Sequence, residues 1–498
     1  MSVSQWAALR RAPRELAVMI VAKALVSYSY FAVAQVFVLF LTDQHGYGDR
    51  EAAALYGYLG LAALLFGIAT GPVIDRIGVR RSLVLGALVA GIGMVMMAMS
   101  LERVTLLIAV LLVMPFGLAL GMPIPDIGCQ LYTYDGNRLL AFAIIYAWMN
   151  VGASFAGLAY DGFRFYGPTH GFLLLNGTPV SAERSLILSA AVVACFSGLF
   201  AALLVRDITV HADGHVTVAP ATESSALAST RARPPLRWYW ENTFKKRAFW
   251  QVVVFTATFA FVRQTYRQFD MTLGKWALRV LGPRAPIGLF YAVNPIIIVV
   301  MSPVSALVLA GFNPYTMQIV GSLFSSLALF FMAGDVSELL VVCTMALFTV
   351  GEAMYSSQTT PMVLAIAPQA LRATYSILAS VPIFASALVS AWMSGALLDT
   401  YCPAPIGIGA ANGGDAHDAM RRCGLVWVWV AGVALLTPLL LLALRHWIYT
   451  DDVRYKIDIA LKRYKDGERP AAPVDDHDAA AVAATDIEFT ALDRLAGD

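Results

Sequence analysis

Charge is scarce in this sequence. Of 498 residues, 14% are Asp, Glu, Lys or Arg, against 59% hydrophobic. A soluble domain carries about 25% charge, so a chain this long cannot cover itself with a water-facing surface and must turn most of it to lipid. An excess of one sign is also missing. The 35 basic and 33 acidic residues leave a net +2, which excludes the basic footprint of a nucleic-acid binder. No G-x-x-x-x-G-K-S/T loop occurs, which argues against an ATP-driven pump. The five cysteines, at positions 129, 195, 343, 402 and 423, show no C-x-x-C or Cys/His spacing of a metal site. No nucleophile–base set stands out either, and no cofactor is called for.

What the sequence does have is apolar runs. A spanning helix needs about 20 mainly apolar residues. Such windows run over 16–42, 52–73, 82–100, 104–133, 139–160, 185–205, 249–273, 288–311, 316–333, 339–367, 374–398 and 426–448. The seventh is the most interrupted, by Arg263, Arg267 and Asp270. The expectation is an all-α, polytopic membrane protein of about twelve helices in two six-helix halves, 1–205 and 249–448. Between them 206–248 is a polar linker, Ser/Thr/Ala/Pro-rich over 219–235 and ending on Lys245-Lys246-Arg247. A tail over 449–498 starts charged, turns Ala/Asp-rich, and reads as largely disordered. Cytoplasmic loops collect Lys and Arg. Arg10, Arg11, Arg14, Arg76, Arg80, Arg81, Arg138, Arg372 and the linker cluster fall on one side, which predicts both termini in the cytoplasm.

Between the second and third windows lies Gly71-Pro-Val-Ile-Asp75-Arg76-Ile-Gly78-Val-Arg80-Arg81. Gly71 and Gly78 allow tight turns at helix ends, Asp75 can pair with basic groups or a helix N-terminus, and the arginines hold the loop at the cytoplasmic face. The string resembles the G-x-x-x-D-R-x-G-R-R loop of the major facilitator superfamily. A narrower resemblance follows. Tyr146-Ala-Trp-Met-Asn150-Val-Gly152 is similar to the F-Y-x-x-I-N-x-G signature of proton-coupled peptide transporters. Asn294-Pro295 through Pro303 is similar to that family's N-P-x-x-I-x-x-x-x-P. Gly351-Glu352-Ala-Met-Tyr-Ser356 resembles its G-E-x-x-x-S, and Phe40-Leu41-Thr42 its Y-L-T. Two motifs are absent. Lys23-Ala-Leu-Val26-Ser27 stands where the family has E-x-x-E-R, and Ile124-Pro125 where it has K-P. Those groups serve proton coupling and peptide binding in the family, so the resemblance carries over the fold and the Glu352 position, but neither peptide specificity nor proton coupling. The antiporter string G-x-x-x-G-P-x-x-G-G is also missing from the fifth window.

The resemblance implies a cavity lined by windows one, four, seven and ten. Those windows hold the buried charges: Lys23, Asp126, Arg263, Arg267, Asp270 and Glu352. An ionisable group at the bilayer centre costs at least about 2.5–3.5 kcal/mol, so such groups face water or pair with one another. Arg263, Arg267 and Asp270 stand at i, i+4 and i+7, one helix face, suited to an anion. Glu352 lies about 14 residues into its span, about 21 Å, near the midplane where transporter sites sit. Lys23 can snorkel, and Asp126 can brace the inner loop. The candidate substrate-binding set is Arg263, Arg267, Glu352, Lys23, Tyr30, Tyr355 and Asn150. Glu352 is also the proton-coupling candidate. Tyr28, Gln35, Tyr291, Asn294, Gln358 and Trp392 are further hydrogen-bonding residues. Arg263 and Glu352 reach similar depth and have reason to pair directly; the alternatives are Arg263 beside Asp270 and Glu352 with Lys23. Pro115, Pro123, Pro125, Pro295 and Pro303 should kink their helices. Cys402 and Cys423 flank the last outer loop and can form a disulfide. The functional expectation is alternating-access transport, secondary-active or facilitative, of a small polar or charged organic solute such as a peptide, amino acid or organic acid. Its partners would be that solute, the bilayer and, for active transport, protons. A transporter-fold receptor or scaffold without transport is the alternative.

Overall fold

The computed structural model describes residues 9, 12–133, 138–166, 180–206, 208–210, 216–218, 244–334, 337–366, 381–403 and 413–465. Helices dominate them. In the first half α1 is Arg14–His45, α2 Asp49–Gly71, α3 Arg76–Met99, α4 Arg103–Leu131, α5 Arg138–Tyr166 and α6 Ala182–Leu204. In the second, α7 runs over 247–280, α8 is Ile287–Val308, α9 Pro314–Ala333, α10 Glu338–Ile366, α11 Val381–Tyr401 and α12 Gly413–Ala443. Among the described residues nine of these stretches are long and apolar enough to cross a membrane, and α8 contributes a shorter apolar piece, Ile287–Ser302. The start of α1 and the end of α12 share one end of the bundle with the end of α6 and the start of α7; we call it the terminal end, and its opposite the far end.

Why the helices sit where they do follows from which faces are apolar. In α1 every residue from Ala32 to Leu41 is buried. A helix apolar all round belongs inside, and α1 runs through the middle of the first half. Outer helices instead present Leu, Ile, Val and Phe outward: Ile68 is 71% exposed and Leu203 72%, as a lipid-facing surface requires. Trp392 is 78% exposed on α11, so it belongs to this surface and not to the interior set in which the sequence placed it.

The helices outrun the apolar windows at several ends. α7 continues to Val280 through Lys275 and Arg279, and α12 begins at Gly413, ahead of Arg421 and Arg422. Backbone hydrogen bonding does not stop where hydropathy falls. The expected turn at Gly71 is corrected: helix runs straight through it, and the break comes at Gly78, with φ 80° and ψ 171°. That left-handed φ suits a residue without Cβ. Beyond it, Arg80 donates to the carbonyl of Ala202 and ties α3 to α6, while Arg76 and Arg81 are exposed. The Asp75 side chain lies outside the described residues. In α4, a π-helical turn over Ala109–Val113 precedes Pro115, and a second break falls at Met122–Pro123, as a missing N–H and ring clash dictate.

Two elements were not anticipated. Ile208–Val210 and Val216–Val218 pair as an antiparallel ribbon at the start of the linker, Thr209 facing Thr217. Asp451–Lys465 forms α13 in the charged first part of the tail, ahead of the Ala/Asp-rich part expected to be disordered. Its charge hides a stripe: Val453 and Ile457, one turn apart, are both buried. The linker over 219–243 and the tail over 466–498 lie outside the described residues.

Candidate substrate site

Contacts between the halves form two seams. On one, α5 meets α8. Gly157 and Gly288 approach so closely that a Cβ on Gly157 would stand 2.5 Å from the Gly288 carbonyl oxygen. At the far end of that seam Asp161 accepts the N–H groups of Gly288 and Leu289 at 2.9 and 2.8 Å. A carboxylate from one half thus caps a helix of the other, where the helix dipole favours it. Arg164 donates to the carbonyls of Ala285 and Pro283 beside it.

On the other seam α2 meets α7 and α11. Asp49 receives Lys275 on one oxygen and Arg279 on the other, at 2.7 Å. All three side chains are 10% exposed or less. Arg50 pairs with Asp399 at 2.8 Å. Arg279 also donates to the carbonyl of Cys402, and Trp276 Nε1 to that of Cys423 at 3.2 Å. Cys402 and Cys423 are joined as a disulfide, so the α11–α12 bridge and the end of α7 hold each other.

One level deeper, α7 passes through a π-helical turn, Phe269–Leu273. Arg267 lies just before it and Asp270 within it, 3.6 Å apart. Both reach into the first half: Arg267 donates to Tyr30 at 2.9 Å and Tyr56 at 3.3 Å, and Tyr56 donates to Asp270 at 2.8 Å. Nearer the terminal end, Lys23 pairs with Asp126 at 2.6 Å and Glu15 with Arg206 at 2.7 Å. The first joins α1 to α4 within the first half, and the second ties α1 to the residue that opens the linker; neither reaches the second half.

Between these levels lies the centre. Glu352, 5% exposed, accepts from Asn294 Nδ2 at 2.6 Å. Asn294 also donates to Thr349 at 2.9 Å, and the Tyr266 hydroxyl lies close to Glu352. Tyr266 and Tyr355 share a 2.6 Å hydrogen bond. Arg263 stands within electrostatic reach of Glu352, Tyr355 and Tyr146, and Tyr146 brings α5 of the other half to the same place. The Arg263 Nε is buried and has no hydrogen-bond partner. Buried donors are nearly always satisfied, so an orphan asks for an explanation.

The candidate residues therefore divide. Arg263, Glu352 and Tyr355 come together. Asn150 supports them from behind, its amide bonded to the carbonyl of Tyr146 at 2.9 Å. Arg267 and Tyr30 belong to the interlock above, and Lys23 sits apart with Asp126. Among the described residues Arg263 and Glu352 make no ion pair, against the expectation of a direct one: Asn294 takes the carboxylate instead. Nor does Glu352 pair with Lys23, which Asp126 holds. Tyr28 bonds to Ser189 at 2.8 Å, an α1–α6 contact.

A family model described as the Major Facilitator Superfamily matches residues 19–391. The chain belongs to that superfamily. Dipeptide and tripeptide permease B of Shigella dysenteriae serotype 1 (strain Sd197) is 30% identical over 183 residues, 36% of this chain, and the match spans a third of that permease's length. Among solved structures, one from work on substrate recognition in proton-dependent oligopeptide transporters is similar with a TM-score of 0.65 and 16% identity, covering 88% of this chain and 99% of that one. A POT family transporter in complex with 5-aminolevulinic acid aligns with a TM-score of 0.63 and 16% identity, over 87% and 96%. This member of the superfamily is an integral, multi-pass membrane protein of that fold.

Proposed function

We propose that the protein carries a small zwitterionic or anionic organic solute across a membrane by alternating access, with Arg263 and Glu352 at the centre of its site. The observation that carries this is the buried, unpartnered Nε of Arg263, within electrostatic reach of a carboxylate already held by Asn294. A substrate carboxylate would complete the guanidinium, and an amine would compete for Glu352. Charge-assisted hydrogen bonds of this kind are the strong ones. The solved relative that holds 5-aminolevulinic acid, an amine and a carboxylate on a short chain, supports that substrate class. All twelve helices α1–α12 cross the bilayer, both termini and the 206–248 linker lie in the cytoplasm, and 1–205 and 249–448 act as the two moving halves. The interlocks that join the halves gather from mid-depth to the far end, which supports an inward-facing state. If transport is proton-driven, Glu352 carries the proton.

Purified protein in proteoliposomes, tested for uptake of labelled dipeptides, amino acids and organic acids with and without a pH gradient, decides the matter. Uptake of a carboxylate-bearing solute that Arg263→Gln abolishes is expected. Glu352→Gln should remove any pH dependence yet leave substrate exchange intact. Wild-type uptake in both variants would remove both residues from the site.

A further inference from the structure

A cavity of about 270 Å³ opens at the terminal end where α9 begins, α12 ends and α13 crosses beneath them. Its walls are organised. The rings of Tyr315 and Tyr449 stack, centroids 5.0 Å apart and 9° from parallel. Asn313 Nδ2 donates to the Tyr449 hydroxyl at 2.6 Å, and its Oδ1 accepts the N–H of Tyr315 at 3.0 Å. That cap already uses the α9 N-terminus, so the positive character of the cavity comes from two guanidinium groups. Arg445 lines it and, among the described residues, makes no ion pair. Arg454 lines it too and is only 3.9 Å from Asp458, the one carboxylate in the wall, with both side chains more than half exposed. Two positive charges against one negative leave the lining cationic.

Below this basic mouth the surface is apolar. Ile319 and Leu442 form the cavity's deeper wall. Leu323 and Leu327 continue the Ile319 stripe at i+4 and i+8, and Leu439 continues that of Leu442. These four leucines are 40%, 49%, 57% and 53% exposed. Arg445, His446 and Trp447 follow directly on the apolar end of α12, the arrangement of a helix leaving the bilayer core at its interface. A cationic mouth at headgroup depth above an exposed apolar strip matches one ligand chemistry. An inorganic anion would use the mouth alone; a phospholipid uses both.

We propose that this cavity holds the phosphate of an anionic phospholipid, with an acyl chain lying along α9 and α12. Basic pockets between helices at the membrane surface bind such headgroups. The site lies outside the two seams and the centre, and the inference stands whatever the transported solute is.

The test uses full-length protein in phosphatidylcholine vesicles carrying a trace of spin-labelled phosphatidylglycerol or spin-labelled phosphatidylcholine. Electron paramagnetic resonance reads the motionally restricted fraction of each. Wild type should retain phosphatidylglycerol about fivefold over phosphatidylcholine or better, as basic residues near the surface allow. Arg445→Gln with Arg454→Gln should bring the ratio near one, and Arg445→Lys with Arg454→Lys should keep most of it. Equal retention of the two lipids by wild type would overturn the assignment, as would full selectivity in the double glutamine variant. Loss of selectivity in millimolar inorganic phosphate at constant ionic strength would overturn the lipid reading and assign the mouth to free phosphate.

Discussion

Arg263 and Arg267 are the same residue type, one turn apart on one helix, yet the structure treats them differently. Arg267 has Asp270, Tyr30 and Tyr56 around it, two of them from the opposite half. Arg263 has a buried Nε with no partner. A satisfied charge that bridges two moving bodies favours the state in which they touch. An unsatisfied charge between them is an energetic deficit that a ligand can remove. The difference teaches that on α7 one helical turn separates two environments: Arg267, next to the π turn, is bonded to Tyr30 and Tyr56 of the other half, while Arg263, one turn nearer the terminal end, keeps an unpartnered Nε. A ligand shifts such an equilibrium only through contacts that differ between states, and the orphan Nε is a donor still open to such a contact.

The strongest way to break this comparison is to cut the far-end lock itself. Asp49→Asn leaves Lys275 and Arg279 buried without their carboxylate. Removing one partner of a buried ion pair costs about 3–5 kcal/mol, more than a hundredfold in population if it falls on this state alone. Double electron–electron resonance between labels at the far ends of α2 and α11 should move to longer distances. An unchanged distribution would place the lock elsewhere.

The bridge behind that lock should matter slightly less. The Cys402 and Cys423 carbonyls hold Arg279 and Trp276, and the two positions are 21 apart in sequence. A cross-link over such a loop contributes about 3 kcal/mol in the chain-entropy model. Cys402→Ser with Cys423→Ser should lower the thermal midpoint and broaden the same far-end distances. A lower midpoint with unchanged distances would mean the bridge stabilises α11–α12 without serving the lock.

Next come the two arginines themselves. Arg263→Gln should weaken substrate binding about 10–100-fold, the size of a hydrogen bond to a charged group at about 1.5–3 kcal/mol, and leave far-end distances alone. Arg267→Gln should do the reverse. Substrate-dependent thermal shift and resonance distances, measured on both variants, separate the roles; matching phenotypes would collapse the distinction.

Much of this fold was legible because a bilayer imposes length and apolarity on each span. The centre was legible in part: counting residues from window ends put Arg263 and Glu352 at one depth. Their partners were not. Asn294 stood out as one residue of a resembling motif, and Tyr146 as part of another, but nothing in sequence spacing says that α8 and α5 deliver them to Glu352. The far-end lock was wholly missed. Asp49, Lys275 and Arg279 sit at helix ends, where charge reads as an interface anchor, and 226 positions separate Asp49 from Lys275. Gly71 misled because a glycine permits a turn without requiring one; nothing lies within 4 Å of a Cβ placed there. α13 was hidden by its own charge, since its stripe is only Val453, Ile457 and the partly buried Leu461.

The smallest effect sharpens the comparison most cleanly. Lys23 and Asp126 form an ion pair at 2.6 Å, and Lys23 is nearly as buried as Lys275. Both residues nevertheless belong to the first half, on α1 and α4. If the halves move as bodies, this pair is made in every state, and its energy cancels from the equilibrium between states. Asp126 is also 43% exposed, so water screens the pair, and its coupling should be about 0.2–1 kcal/mol, the range of surface pairs. A double-mutant cycle of Lys23→Gln and Asp126→Asn, read by thermal unfolding, should return a coupling of that size. Far-end distances should stay as in wild type in all three variants. A shift in those distances would show that burial of charge, and not its bridging of two halves, sets the conformational balance, and the reading of Arg267 would fall with it.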